Sequence, residues 1–367
     1  MKWSWIAVLA LLITPAYAQQ PPPELPFESV ADFFHYPTSE IVPGEMTSVA
    51  VNSKGHIFML SHSGISGHAF EPVASQILEF DSYGNYLRQI GKGAYGLAYP
   101  HSVRFDKDDN LWVVDRATNI VMRFNPAGYV TMVLGRRAFE VRPNAERAYE
   151  IEPGVVNSGK VPPPAAVDNL FAWPTDVTWD ASGNIYISDG YLNARIAKLD
   201  KNGDWIKSWG MHGTEPGQFN TPHNIQTDRQ GNVYVADRGN ARIQVFDTDG
   251  KFLRMIKINV PVPPGSRSII GNTPATPPAN STFAPGAPWA ICITPGQTQY
   301  LYAMDVFPGR LYKLSLDGKV LGTFGKSGHQ LNQFSWPHGM ACPSENEVYV
   351  ADMNNWRVQK LITAPGR

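Results

Sequence analysis

The sequence predicts an all-β fold, a six-bladed β-propeller, from three observations. A unit of about 45 residues recurs along the chain, and one such unit cannot bury both of its faces alone. Each unit alternates apolar and polar residues in short stretches separated by Gly or Asn turns, which is typical of antiparallel strands. Gly (32) and Pro (31) are plentiful among the 367 residues, together with 10 Trp and 15 Tyr. Six units stacked around an axis would bury a continuous core and leave few free strand edges.

The repeat is clearest in the middle of the chain. The third unit runs from Trp173 to Gly210, and the fourth begins at Asn220 and reaches Asp247 in its third strand. The remaining units begin near Thr47, His101, Trp289 and His338. An Asp ends the second strand of most units and an Arg soon follows. This recurrence indicates a structural ion pair within or between blades, so we assign these residues no catalytic role.

The sixth unit has only three strands before the chain ends. We expect residues 46–362 to form the propeller and residues 19–45 to form a Pro-rich leader. Within that leader, Phe27 to Tyr36 could supply the missing fourth strand and close the ring. The sequence therefore predicts that the two ends of the chain meet in the sixth blade.

Residues 1–18 have the features of a secretory signal peptide. Lys2 provides a positive charge, Ile6 to Ile13 is almost wholly apolar, and Ala16-Tyr17-Ala18 matches a small-x-small cleavage site. The apolar run is short for a membrane span. We expect cleavage after Ala18 and a secreted or periplasmic protein with no membrane span thereafter.

Charge and cysteine content narrow the possible functions. The net charge is −1 and only 17% of residues are charged, so no basic surface is predicted and nucleic acid is not an expected partner. Cys292 and Cys342 are the two cysteines, each in or just after the innermost strand of its unit. Export permits a disulfide, and two buried free thiols are an equally good interpretation.

Three Pro-His pairs provide the strongest functional signal. They place His101, His223 and His338 at equivalent positions of alternate units, whereas Thr175 and Trp289 follow the Pro in the units between them. Alternate blades of a six-bladed ring lie about 120° apart, so the three imidazoles would meet on the axis. Neutral imidazole suits zinc, and three protein ligands leave a coordination position open for catalysis.

Other candidate residues are expected on the same face as the Pro-His pairs. Tyr191, Arg238 and His62 lie in loops between the second and third strands, and these loops share that face because strand direction alternates within a blade. Tyr191 is a candidate base and Arg238 a candidate anion clamp. Three long insertions reach this face too and predict a walled pocket; they are Ser61 to Gln76, Arg136 to Ala172 and Asn259 to Ala287.

These segments resemble known proteins. Gly231–Asp237 and Asn240–Asp247 are close to the pattern of the NHL-repeat propellers. A narrower resemblance, to the peptidyl-α-hydroxyglycine α-amidating lyase family, covers roughly Val49 to Leu361. It rests on Pro100-His101, Trp173–Asp176, Ser188–Arg195, Phe219–Asn224, Ala236–Arg238 and Pro337-His338.

The narrower resemblance implies a reaction. It implies that His101, His223 and His338 bind zinc, that Tyr191 is the catalytic base and that Arg238 is an active-site arginine. The substrate would be a peptide or small molecule ending in α-hydroxyglycine, and the products would be an amide and glyoxylate.

The chain departs from that family at several positions. His62 aligns with the family's second catalytic Arg, so His62 is expected to act as a cation or a fourth metal ligand. Gly339 replaces an Asp that contributes a carboxylate to a structural calcium, which leaves only the backbone carbonyls of Val49 and Val103. The resemblance therefore favours zinc and supports calcium only weakly. Family cysteines near Tyr191 and in the fourth blade are missing as well.

Two alternative functions remain open from sequence. One is a metal-binding propeller of the same build with different lyase or hydrolase chemistry, as the His62 change would allow. The other is a non-catalytic propeller that binds a protein partner.

Overall fold

The computed structural model describes residues 21–37, 41, 44–62, 75–94, 96–135, 166–270, 274, 277–278 and 281–363. The expected signal peptide, residues 1–18, lies outside the described residues. Most of the first two predicted insertions also lies outside the described residues, because residues 63–74 and 136–165 are not described.

The predicted six-bladed propeller is confirmed. Six antiparallel four-stranded sheets are described, and each runs outward from an innermost first strand. Blade one contains β2 (Glu45–Val51), β3 (Ile57–His62), β4 (Ser75–Phe80) and β5 (Tyr86–Ile90). Blade two contains β6 (Pro100–Phe105), β7 (Leu111–Asp115), β8 (Ile120–Phe124) and β9 (Val130–Leu134). Blade three contains β10 (Asp176–Trp179), β11 (Ile185–Asp189), β12 (Arg195–Leu199) and β13 (Trp205–Trp209).

The second half of the ring repeats this order. Blade four contains β14 (Pro222–Thr227), β15 (Val233–Asp237), β16 (Arg242–Phe246) and β17 (Phe252–Ile256). Blade five contains β18 (Ala290–Ile293), β19 (Tyr300–Met304), β20 (Leu311–Ser315) and β21 (Val320–Phe324). A short parallel pair of strands, β22 (Lys326–Ser327) and β23 (Gln333–Phe334), precedes blade six. Blade six contains β24 (Pro337–Ser344), β25 (Glu347–Asp352), β26 (Arg357–Thr363) and β1 (Phe27–Ser29). Short 3-10 helices, Arg238–Asn240 and Met353–Asn355, follow β15 and β25.

The N-terminal segment provides the outermost strand of blade six. Phe27 of β1 pairs with Thr363 of β26 in antiparallel register. Only Phe27–Ser29 joins the sheet, which is shorter than the Phe27 to Tyr36 segment in which a strand was expected. Phe34 instead packs against Phe80 of blade one, with ring centroids 5.2 Å apart. The segment therefore crosses from blade six to blade one and covers the junction between them.

Aromatic residues fill the space between blades. Tyr186, Tyr234 and Tyr302 lie in the second strands of three consecutive blades, and all three are fully buried. Each hydroxyl is satisfied, for example by the Asp180 carboxylate at 2.8 Å from Tyr186. Burial of large rings with a satisfied polar end accounts for the many Tyr residues of the sequence.

The recurring Asp and Arg residues pair within their own blades, as predicted. The ion pairs are Arg195–Asp189 (3.1 Å), Arg242–Asp237 (2.7 Å) and Arg357–Asp352 (3.3 Å). All three carboxylates are fully buried, so each pair fixes the end of a second strand.

Cys292 and Cys342 form a disulfide. It joins β18 to β24, the innermost strands of blades five and six. Of the two interpretations left open by the sequence, the structure therefore shows the disulfide. None of the helices in the described part of the chain is long and apolar enough to cross a membrane.

Candidate metal centre and its surroundings

A β-bulge sets the direction of each predicted histidine. The pairing of β6 with β7 shifts register between Pro100 and Ser102, which leaves His101 as the extra residue. The same shift occurs around His223 in β14 and around His338 in β24. Bulges re-aim side chains at the end of a strand. Here they belong to the innermost strands of blades two, four and six.

The structure brings the three imidazoles together. Their ring centroids are 4.7 Å (His101–His223), 4.7 Å (His101–His338) and 4.8 Å (His223–His338) apart. Each ring offers one nitrogen within 4.8 Å of the other two, and all three residues are buried. The rings thus form a nearly equilateral triangle around the propeller axis.

Backbone carbonyls of blades one, three and five, the odd-numbered blades, fix the tautomer of each imidazole ring. The Nδ1 atoms lie 2.6 Å from the Thr175 carbonyl (His101), 2.7 Å from the Trp289 carbonyl (His223) and 2.8 Å from the Thr47 carbonyl (His338). A carbonyl only accepts hydrogen bonds, so each Nδ1 carries the proton and each Nε2 keeps its lone pair. The Nε2 atom of His223 is buried without a hydrogen-bond partner. This donor set fits a metal ion that accepts neutral imidazole.

Burial keeps these histidines neutral. It is the main cause that lowers the pKa of His338 to about 3, and it lowers the pKa of His101 and of His223 well below the ordinary value. The positive charges of Arg116 and Arg238 act in the same direction on His101 and His338. The neutral form is the one that binds metals.

Tyr191 lies beside the histidine triangle. Its hydroxyl oxygen is 3.2 Å from Nε2 of His101, and because that nitrogen carries no proton, the hydroxyl is the donor. The preceding Gly190 is required by space, since a Cβ there would lie 1.9 Å from the Pro222 carbonyl oxygen. The Tyr191 amide donates to the Trp173 carbonyl at 3.2 Å and so anchors the loop.

Arg238 occupies the matching loop of blade four. Its guanidinium carbon lies 3.9 Å from the ring centroid of Trp289 and 5.4 Å from that of Tyr191. The Nε and Nη1 atoms are buried without hydrogen-bond partners, and burial lowers the pKa of this guanidinium. Its amide donates to the Thr221 carbonyl at 3.3 Å, the equivalent of the anchor that holds Tyr191.

Arg116 is a site residue that the sequence reasoning missed. Its amide donates to the Tyr99 carbonyl at 3.1 Å, which is the same anchor in blade two. Its guanidinium carbon lies 4.0 Å from the Tyr191 ring centroid and 4.4 Å from that of Trp173. The signal was present in the repeat, because Arg116 follows the strand-ending Asp115 just as Arg238 follows its own strand-ending Asp. Blades two, three and four therefore present an Arg–Tyr–Arg row.

His62 lies next to the metal centre but outside the ligand cluster. Its Nε2 donates to the carbonyl of Pro100 at 2.9 Å, directly before His101, and its ring packs 4.4 Å from that of Tyr99. Its Nδ1 atom is 3.7 Å from the Glu45 carboxylate. The structure thus places His62 against the backbone of a candidate ligand. The catalytic role expected for it from sequence stays a prediction.

The third insertion forms part of a wall beside the site. Phe283 packs against Trp289 and Trp336, with ring centroids 5.7 Å apart in both cases. The indole nitrogen of Trp289 donates to the Thr282 carbonyl at 2.7 Å. The described part of the third insertion therefore packs beside Trp289, next to the histidine cluster.

Arg104 is a buried side chain that connects the innermost strands of several blades. It donates to both Asp176 oxygens at 2.9 and 2.7 Å, to the Asn224 side chain at 3.3 Å and to the Met340 carbonyl at 3.0 Å. Blades two, three, four and six are thereby joined by one side chain. At Gly339, an added Cβ would lie 2.7 Å from backbone atoms of blade one, so an Asp does not fit there in this structure.

Comparison with known proteins agrees with this architecture. Residues 219–246 match the NHL repeat family. The chain is 30% identical over 295 residues to peptidyl-glycine alpha-amidating monooxygenase A of Xenopus laevis, covering 78% of this chain and 27% of that protein. It is 26% identical over 274 residues to peptidyl-alpha-hydroxyglycine alpha-amidating lyase 1 of Drosophila melanogaster, covering 72% of this chain and 44% of that protein.

A third relative aligns with this chain over most of the length of both proteins. NHL repeat-containing protein 3 of Homo sapiens is 30% identical over 340 residues, covering 88% of this chain and 81% of that protein. By contrast, the chain spans about a quarter of the monooxygenase and under half of the lyase. The protein belongs to the NHL-repeat family, as a six-bladed propeller that resembles the peptidyl-α-hydroxyglycine α-amidating lyases.

Proposed function

We propose that this protein is an exported, zinc-dependent lyase that cleaves a C-terminal α-hydroxyglycine, or a related small carbinolamide, into an amide and glyoxylate. One observation carries the proposal: three neutral imidazoles meet beside the Tyr191 hydroxyl, and the guanidinium carbon of Arg238 lies 5.4 Å from the centroid of the same tyrosine ring. Relatives named as amidating lyases support the reaction class.

The ligand set favours zinc among the common metals. His101, His223 and His338 would hold the ion through Nε2, because each Nδ1 is already committed to a carbonyl. A zinc ion bound by three histidines would polarise the hydroxyl or carboxylate of the substrate.

The residues of the chain would supply the remaining chemistry. Tyr191 would act as the phenolate, after losing its own proton to solvent: it takes the proton from the substrate hydroxyl, and the electrons of that O–H bond form the new carbonyl of glyoxylate. The bond between the α-carbon and the amide nitrogen breaks, and the nitrogen takes up a proton to give the amide. Arg238 binds the negative charge of the carboxylate. His62 is a positioning residue in this proposal, since it holds the Pro100 carbonyl next to His101.

Export is proposed on two grounds. Residues 1–18 match a secretory signal, and the disulfide between Cys292 and Cys342 is typical of proteins in an oxidising compartment.

Glyoxylate release from α-hydroxyhippurate tests the function. The purified mature chain loaded with zinc should convert this substrate to benzamide and glyoxylate in equal amounts, which liquid chromatography would measure. If the protein holds zinc but releases no glyoxylate, the lyase proposal is wrong. A metal-dependent propeller with other chemistry would then be the better account.

Tyr191→Phe tests the proposed base. We expect kcat to fall by about 10²- to 10⁴-fold, because the variant lacks the group that accepts the proton. The zinc content should stay equal to that of the native chain, since Tyr191 is not a ligand. Unchanged turnover in the variant would remove Tyr191 from the mechanism.

A further inference from the structure

Arg116 and Arg238 are two cations without a described counter-ion at one site. Among the described residues, neither guanidinium forms an ion pair with a carboxylate within 4.0 Å. The Nε of Arg116 and the Nε and Nη1 of Arg238 are buried without hydrogen-bond partners. Charged donors buried in this way are costly unless something else satisfies them.

Both guanidinium groups lie close to the same tyrosine ring. Arg116 is 4.0 Å and Arg238 is 5.4 Å from the Tyr191 centroid. Each also lies near another aromatic ring, Trp173 for Arg116 and Trp289 for Arg238. Stacking holds the plane of a guanidinium and leaves its N–H edges available for hydrogen bonds. Two guanidinium groups thus lie beside one phenol ring, and both carry N–H groups without a hydrogen-bond partner among the described residues.

The repeated backbone structure explains why both arginines lie beside Tyr191. Arg116 and Arg238 occupy equivalent positions in blades two and four, each anchored to a carbonyl of the loop that enters its own first strand. Tyr191, one residue further from its strand-ending Asp, makes the same backbone anchor in the blade between them. The arrangement is thus built into three consecutive repeats, and a loop rearrangement is not needed to form it.

We propose that Arg116 is a second carboxylate-binding residue, which together with Arg238 selects substrates that carry a free carboxylate next to the scissile carbon. The inference rests on the proposed lyase function and narrows it to N-acyl-α-hydroxyglycines with an ionised carboxyl group. Two charged donors on one carboxylate give a stronger and more directional contact than one. Blade two thus supplies the guanidinium of Arg116 to the site. Blade one instead supplies the imidazole of His62, which is hydrogen-bonded to the Pro100 carbonyl.

A pair of substrates separates binding from general damage. The native chain, Arg116→Met and Arg116→Lys would each be assayed with α-hydroxyhippurate and with its uncharged methyl ester. For Arg116→Met we expect kcat/KM to fall about 30-fold for the acid and to change less than about 3-fold for the ester. Arg116→Lys should retain part of the preference for the acid. Arg123→Met, on the third strand of the same blade, is the matched control and should behave as the native chain does.

A binding measurement keeps the test independent of turnover. Hippurate lacks the reacting hydroxyl, and calorimetry should show that the zinc-loaded native chain binds it more tightly than the uncharged hippuramide. In Arg116→Met this preference should shrink by about 30-fold without vanishing, because Arg238 still binds the carboxylate. If the native chain releases no glyoxylate but this hippurate preference depends on Arg116, the lyase function fails and the carboxylate site stands. Equal hippurate affinity in native and Arg116→Met protein, or an equal loss of activity with acid and ester, would overturn the role of Arg116.

Discussion

The even and odd blades of this propeller contribute to the same centre in different ways. Blades two, four and six each place an imidazole on the axis. Blades three, five and one each place a backbone carbonyl behind it, from Thr175, Trp289 and Thr47. These three residues stand at the position that a histidine occupies in the even blades. The same position of the repeat therefore carries a candidate metal ligand in blades two, four and six, and the carbonyl that orients this ligand in blades one, three and five.

This difference explains why the blades diverge in sequence. A ligand requires a particular side chain, so the even blades share Pro-His. A backbone carbonyl is supplied by any residue, so Thr and Trp are both accepted in the odd blades. The comparison can be tested by removing the contacts that join the two sets of blades.

The largest effect on stability is expected at Arg104, an even-blade cation held by an odd-blade carboxylate. Arg104→Met leaves the fully buried Asp176 without its ion pair. We expect the free energy of unfolding to fall by about 3–5 kcal/mol, measured by urea denaturation. Lys107→Met is the control, because its partner Asp108 and Lys107 itself are exposed. Identical unfolding midpoints for the two variants would show that the Arg104 pair does not join the blades.

A smaller effect is expected from pH in the metal-free protein. His338 has a pKa of about 3 in the folded chain, below its ordinary value of 6.5. Between these values the unfolded chain binds a proton that the folded chain does not, so acid destabilises the fold. This residue should reduce the free energy of unfolding by about 2 kcal/mol between pH 7 and pH 5.

The comparison must be made against His338→Gln at both pH values. Burial raises the pKa of Asp189 and Asp305 to about 6, so these carboxyl groups bind protons in the folded chain first and stabilise it as the pH falls. The difference between native and variant chains cancels that opposing contribution. The same pH dependence in both chains would contradict the buried, neutral state of His338.

The smallest effect is expected at Thr175, an odd-blade residue. Its hydroxyl bonds to Ser188 and to the Pro222 carbonyl at 2.7 and 2.9 Å. Thr175→Ala should lower the free energy of unfolding by about 1 kcal/mol and leave the zinc content unchanged, because the carbonyl that orients His101 is retained. Loss of zinc in this variant would mean that the odd blades act through side chains after all.

The same contrast shows how far sequence could predict this molecule. The recurring unit predicted the six blades, and the Pro-His spacing placed three histidines on one axis, because both depend on side chains that repeat. The Thr47, Thr175 and Trp289 carbonyls carry no sequence signal. Their role depends on the β-bulges and on how adjacent blades are rotated.

Other features were missed for different physical reasons. Arg116 was visible in the repeat, but only the distance to Tyr191 shows that its guanidinium stacks at the site. Arg104 reaches three other blades, and such contacts cannot be read from one chain segment. The Cys292–Cys342 bond depended on the spacing of two neighbouring inner strands.

The zinc content of the purified mature chain tests the central claim most directly. Elemental analysis after purification without chelators should give about one zinc per native chain, and His223→Ala should lose it because two histidines bind zinc far more weakly than three. His212→Ala, which removes an exposed histidine outside the cluster, should keep the full amount. Less than about 0.2 zinc per native chain, or the same zinc content in His223→Ala, would contradict a metal centre on the propeller axis.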